Sequence, residues 1–285
     1  MKKLINLFVI ALLVFLSSNL YAADTLNLKN KILFVNKAAE GGTYLCVINP
    51  DGTNKIRLTP TLFNIILPKN NPVTGEIAFT NQTEDMSSEI YILDNTGKKL
   101  TKILTNACFQ DFSPDGKTLL YTTTGQEPAL YVYDINKKKA YKVSQSLKVC
   151  SANYSPDGDW IVVSDLTSTG NMDMHMISCY GRGILPLVMT YQSNEAYPVF
   201  SPDNKNIAYY TNRYNELYEI EIMGVGLNKE GNFTVRRTNL VGTNPSFSPN
   251  GKIIAYQHNN SIMIGTLDGE KTKKVADGRF PYWTK

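Results

Sequence analysis

Short runs of apolar and aromatic residues, bounded by polar turns, dominate the chain from residue 31 onward. Thr118-Leu119-Leu120-Tyr121-Thr122 and Ile253-Ile254-Ala255-Tyr256 are examples, and such runs predict strands. The pattern is periodic. Phe112-Ser113-Pro114-Asp115-Gly116-Lys117 returns as Tyr154-Ser155-Pro156-Asp157-Gly158-Asp159 and as Phe200-Ser201-Pro202-Asp203-Asn204-Lys205. It returns again as Phe247-Ser248-Pro249-Asn250-Gly251-Lys252, and a worn copy lies at Asn70-Asn71-Pro72-Val73-Thr74-Gly75. The marker prolines 72, 114, 156, 202 and 249 are spaced by 42, 42, 46 and 47 residues, the blade length of a propeller.

Each unit has its own turn chemistry. Proline at the second turn position already has the required φ, and glycine accepts a positive one, so Ser-Pro-Asp-Gly joins two strands of a hairpin. A third strand follows at residues 45–49, 90–94, 130–134, 174–178, 217–221 and 262–266, six copies in all. A fourth follows a polar turn, as in Ala140-Tyr141-Lys142-Val143 after Lys137-Lys138-Lys139. The first unit starts at residues 31–35 without an innermost strand, and residues 279–284 repeat the opening of a unit. The expected fold is therefore all-β: a six-bladed β-propeller whose C-terminal strand closes the first blade. An open solenoid would not need complementary ends, whereas a ring leaves no unpaired first blade.

Ahead of the repeats, Met1-Lys2-Lys3 is followed by an apolar run from Leu4 to Leu16 and a polar exit ending at Ala22. This pattern predicts a signal peptide over residues 1–22, a short tail over 23–30 and the propeller over 31–285. The apolar run is shorter than the ~20 residues of a spanning helix, so no transmembrane segment is expected in the mature chain. No cysteine follows closely enough to suggest a lipid anchor. The expected location is the periplasm.

Composition narrows the chemistry. Basic residues number 29 and acidic ones 25, a balance of +4 that falls to +2 without Lys2 and Lys3. So small a charge gives no support to nucleic-acid binding. With only His175 and His258, a multi-histidine metal site or a compact catalytic triad is not expected, and no cofactor is implied. There is no G-x-S-x-G, H-E-x-x-H or P-loop.

The repeated Phe/Tyr-Ser-Pro-Asp-Gly-Lys, followed by an Ile-Ala-Tyr-type strand, resembles the TolB propeller family of the Tol–Pal system. The resemblance covers residues 31 to 285. It implies a periplasmic propeller that meets protein partners at its channel mouth. Similar repeats occur in prolyl oligopeptidase-type enzymes and some lyases, although this sequence shows no hydrolase domain after the repeats. The TolB family carries a further domain before its propeller, where this chain has residues 23–30.

Aligning the units puts Lys69, Gln110, Ala152, Glu195, Tyr197, Asn244 and Arg279 at or near the starts of the innermost strands. Such a mixed ring suits a peptide terminus or an extended segment of an envelope protein; a water-filled polar channel is the plainer reading. The primary expectation is a non-enzymatic protein-interaction module. The alternative is a glycan-binding or glycan-cleaving propeller using scattered acids such as Glu40, Glu84, Asp85, Glu127 and Glu195.

Cys108 and Cys150 each lie six residues before a marker proline, in adjacent units. Two readings stand: a disulfide near the mouth, or thiols too far apart for one, since a bridge needs Cα atoms within about 7 Å. Cys46 and Cys179 read as buried apolar residues. Met172, Met174 and Met176 fall on one face of a strand and His175 on the other, which favours inter-blade packing over copper binding. His175 takes the place of Tyr91, Tyr131 and Tyr218 in other units. Basic residues of the outer turns (Lys55, Arg57, Lys98, Lys99, Lys137 to Lys139, Lys271, Lys273 and Lys274) are expected opposite the mouth loops. Such a face could lie peripherally on an anionic membrane, or simply keep turns solvated and edges blunt.

Overall fold

The computed structural model describes residues 26–124, 128–143, 147–180, 183–190, 192–214 and 217–285. The leader expected over residues 1–22 and the mouth acid Glu127 lie outside the described residues. No helix among them is long and apolar enough to cross a membrane.

Six four-stranded antiparallel sheets form the blades of a propeller. The innermost strands are Arg279–Trp283 in blade 1, Asn64–Asn70 in blade 2 and Ala107–Phe112 in blade 3. Val149–Tyr154, Glu195–Phe200 and Thr243–Phe247 serve blades 4, 5 and 6. These strands start at one face of the disc, the mouth face, and end at the turn face, where the marker turns lie.

The repeated turn works as its residues predict. Ser113 Oγ donates to Asp115 Oδ1 at 2.6 Å and accepts from Thr118 N at 3.0 Å, and Asp115 Oδ1 accepts from Lys117 N. Gly116, at φ +70°, donates its N–H back to the Ser113 carbonyl. Ser155–Asp157, Ser201–Asp203 and Ser248–Asn250 repeat the arrangement. The Ser113 hydroxyl holds the Asp115 carboxyl below its ordinary range, and the Ser201 hydroxyl does the same for Asp203.

Between blades the core is apolar and mainly aliphatic, with an aromatic ring at one recurring position. Phe34, Phe79, Tyr121, Tyr209 and Tyr256 occupy one equivalent position of the second strand, facing the preceding blade, and blade 4 has Val163 there. Each ring fills the wedge that opens as neighbouring sheets twist apart.

The ring closes by the expected route. Ile32 pairs with Trp283 and Leu33 with Tyr282, so the last strand completes blade 1. Thr284 N donates to the Lys31 carbonyl at 2.9 Å, Lys31 N donates to Thr284 Oγ1 at 2.9 Å, and Trp283 Nε1 donates to Asn30 Oδ1. Thr284 Oγ1 also bonds the Leu28 carbonyl. Leu28 is buried in the cluster between blades 1 and 2, and Leu26 N donates to Asn95 O of blade 2, so residues 26–30 dock along the seam between blades 1 and 2.

Three details differ from the sequence expectation. The third strand of blade 5 is Glu219–Leu227, so Glu221, not Tyr218, stands where Tyr91, Tyr131 and His175 stand. The loop before it is longer than in other blades and carries Tyr218 out to the mouth. Cys179 falls just past the strand Met172–Ser178 and is exposed, while Cys46 is buried as expected. The turn face carries both signs of charge: Asp94 accepts backbone N–H groups of Lys98 and Lys99, and Asp134 pairs with Lys137 at 3.0 Å.

Candidate functional site

The channel wall follows from a shared irregularity. Every innermost strand shows a break in pairing register against its neighbour, as a β-bulge does. In four blades the bulge holds a left-handed non-glycine residue followed by proline: Leu67-Pro68, Tyr197-Pro198, Asn244-Pro245 and Phe280-Pro281, at φ +51° to +53°. A left-handed L-residue costs on the order of 1 kcal/mol. The proline removes an N–H from an edge strand that faces the channel and has no neighbour to accept it. Gln110 and Ala152 take the proline position in blades 3 and 4. Ala152 N donates to Gln110 Oε1 at 3.2 Å, so the side chain of one blade satisfies the donor of the next.

One residue further along, each blade contributes to a belt: Lys69, Asp111, Asn153, Val199, Ser246 and Tyr282. Lys69 Nζ lies 2.5 Å from Asn153 Oδ1 and 3.2 Å from Asp111 Oδ1, with the Tyr282 ring 6.0 Å away. Asn153 Nδ2 donates to the Pro198 carbonyl at 2.8 Å, and Asp111 Oδ2 accepts from Tyr154 N. The belt ties blades 2, 3, 4 and 5 together across the axis. Burial pushes the Lys69 pKa down, against the opposing pull of Asp111. Two cavities of about 60 Å³ lie on either side of the belt, each room for a few waters. An extended peptide does not pass.

Four of the residues expected at the mouth do meet around the cavity on its side: Lys69, Gln110, Tyr197 and Asn244, with Ala152 among them. Glu195 does not join them. It is fully buried, accepting from Thr190, Ser193 and Thr211 hydroxyls and from Arg213 Nη2 at 3.2 Å. Arg279 lies further out, in a groove of the mouth face. Sequence reasoning missed Asp111, Asn153 and Tyr282. The signal was present: each stands three positions before a marker proline or its equivalent.

Cys108 and Cys150 are both unbonded thiols, half-buried on adjacent inner strands near Tyr197. Burial raises both thiols. Burial, with these thiols nearby, pushes the Tyr197 phenol up to about 12. Tyr197 stacks on Tyr210 at 5.7 Å, and Tyr210 meets Tyr218 edge-on at 4.9 Å. This stair climbs from the channel to an exposed rim, where Tyr218, Leu217 and Tyr214 are 37%, 59% and 45% accessible. Beneath the rim, Glu221 accepts from the Tyr209 and Tyr214 hydroxyls, and Arg237 stacks on Tyr214. His175 packs between blades with its Nδ1 2.7 Å from Asp165 Oδ1. Among the described residues, no group of three or more His, Cys, Asp or Glu side chains is arranged to hold a metal ion.

A closed ring of six repeats with a plugged axis and an aromatic rim defines a β-propeller that offers surfaces rather than a passage. Residues 25–283 match the TolB beta propeller domain, and the chain belongs to that family. Its fold is similar to TolB from Acinetobacter baumannii, with a TM-score of 0.75 and 22% identity over 95% of this chain and 70% of that one. A structure assigned as TolB from Agrobacterium tumefaciens gives 0.61 and 20%, covering 78% and 87%. The tricorn protease gives 0.52 and 14%, covering 90% of this chain and 32% of that one. No curated protein matches the sequence.

Proposed function

We propose that this chain is an exported, TolB-like propeller that binds an envelope protein on its mouth face and catalyses no reaction. The observation that carries the reading is the stair from Tyr197 through Tyr210 to the exposed Tyr218, Leu217 and Tyr214. Aromatic residues exposed together at a rim are the composition of protein interfaces, where they supply most of the binding energy. Membership of the TolB propeller family supports a protein partner. The leader-like residues 1–22 support export, with 23–30 as a tail and 31–285 as the propeller. Asp111, the acid in the channel, is paired with Lys69, and Glu195 is buried and held by four donors, so neither is poised for acid–base work on a glycan.

The test is site-specific photo-crosslinking in the native cell. A benzoylphenylalanine at position 217 is expected to trap a defined envelope protein. The same probe at Glu230, on the opposite face, is expected to trap none. Tyr218→Ala should weaken capture by roughly tenfold, the size of one interface aromatic. Equal capture from both faces, or none from either, overturns the reading.

A further inference from the structure

We infer that a groove around Arg279 on the mouth face receives a carboxylate-bearing segment of the protein partner; this rests on the mouth-face reading above. The groove, about 540 Å³, lies where blade 1 meets blades 2 and 6. That is nine times either channel cavity and within the range of ligand sites. Two cations line it, Arg279 and Lys37, and among the described residues neither has a carboxylate within ion-pair distance.

The surrounding charges do not supply the missing partner. Asp277 borders the groove, but its Oδ1 is held by Lys274 Nζ at 2.6 Å. Glu40, on the adjoining loop, accepts from Thr61 Oγ1 and sits in the field of Arg57. The Arg279 guanidinium stands 5.8 Å from the Phe280 ring centroid and makes one long contact, Nη2 to Asn64 Oδ1 at 3.4 Å. A guanidinium with unused N–H groups offers the planar donor fork that a carboxylate takes in a two-pronged way. Asn36, Asn64 and Asn260 add amides that can meet a peptide main chain, and half-exposed Phe63 offers an apolar contact at the edge.

The geometry fits a short acidic stretch of protein: one carboxylate on Arg279, its backbone along the asparagines, and a neighbouring acid toward Lys37. The experiment uses residues 23–285 and a blocked peptide, acetyl-Gly-Glu-Phe-Glu-Gly-amide, titrated into the millimolar range and followed by NMR. The expected result is a saturable shift of the Arg279 side-chain Nε–H and the Gly278 amide. The Gln-for-Glu peptide should leave both unmoved, and Arg279→Gln should weaken binding by about tenfold. Lys37→Gln, a change at an exposed side chain of the groove, should weaken it less while leaving the melting curve unaltered. Shifts spread over other lysines, equal response to the Gln peptide, or preferential binding of a uronate oligosaccharide each overturn the inference. The mouth-face reading fails separately, through crosslinking at position 217. A partner trapped there in a chain that ignores the acidic peptide would overturn only the groove.

Discussion

Replacing Lys69 by Met tests whether the belt is a structural tie. Both members of the Lys69–Asp111 pair are nearly inaccessible, with side chains 12% and 15% exposed. The substitution keeps the side chain's bulk but strands the Asp111 carboxylate, whose remaining hydrogen bond among the described residues is from the Tyr154 N–H, and takes the Lys69 ammonium away from Asn153 Oδ1. Breaking a buried pair from one side costs about 3 kcal/mol or more, mainly because the remaining charge is left uncompensated. For a domain of this size that corresponds to a fall in Tm of roughly 6–12 °C. Replacing both partners, Lys69→Met with Asp111→Leu, removes the stranded charge and should recover at least half of the loss. Urea unfolding of the four proteins of this double-mutant cycle, followed by tryptophan fluorescence and circular dichroism, measures the coupling directly. The reasoning is refuted if Lys69→Met alone costs less than about 1 kcal/mol, or if the double substitution is as unstable as the sum of the singles.

Two further predictions come from the turns and the closure. Asp115 and Asp203 have lowered pKa values in the fold, so their stabilisation is complete above the ordinary carboxylate range near 4 and is lost as pH falls below it. Because Asn250 performs the same turn role in blade 6, Asp115→Asn with Asp203→Asn should change neutral stability by under about 1 kcal/mol. The same pair should flatten the acid limb of the stability–pH curve; an unchanged acid limb in urea titrations would contradict this. Thr284→Val removes a hydroxyl that both accepts from Lys31 N and donates to the clasp, at a cost of about 2 kcal/mol. Hydrogen exchange should then quicken first in residues 31–37, and uniform acceleration over all blades would count against a local clasp.

Much of the architecture is legible because each unit writes its own turn. Ser-Pro-Asp-Gly carries its geometry locally, and the complementarity of residues 31–35 with 279–284 can be counted without knowing any contact. The channel is harder to read because its lining depends on register. A bulge inserts a residue, and one step along a strand turns a side chain to the other face. Lys69, Gln110, Tyr197 and Glu195 stand three, four, five and seven positions before their marker prolines, so a list of strand starts mixes different faces. Lys69 points into the axis, while Glu195 turns into hydroxyls and Arg213. The displaced third strand of blade 5 has a similar cause: the insertion before Glu219 shifts the pattern by a few residues, and Leu217-Tyr218 looks as strand-like as the strand itself.

The clasp joining the two ends of the chain also bears on how the fold is reached. Blades 2 to 6 each form from neighbouring hairpins, but blade 1 joins residues 253 apart in sequence. For a flexible chain, closing a loop of that length costs roughly 1.6 kcal/mol more than closing one blade-length loop of 42 residues. Five completed blades are not a flexible chain, since their curvature brings the two ends together. Most of that entropy has then been met by local contacts before the last strand arrives. Closure therefore behaves as a late, fast and cooperative step, and blade 1 is the last to exist during folding and the first to be missing when the ring opens.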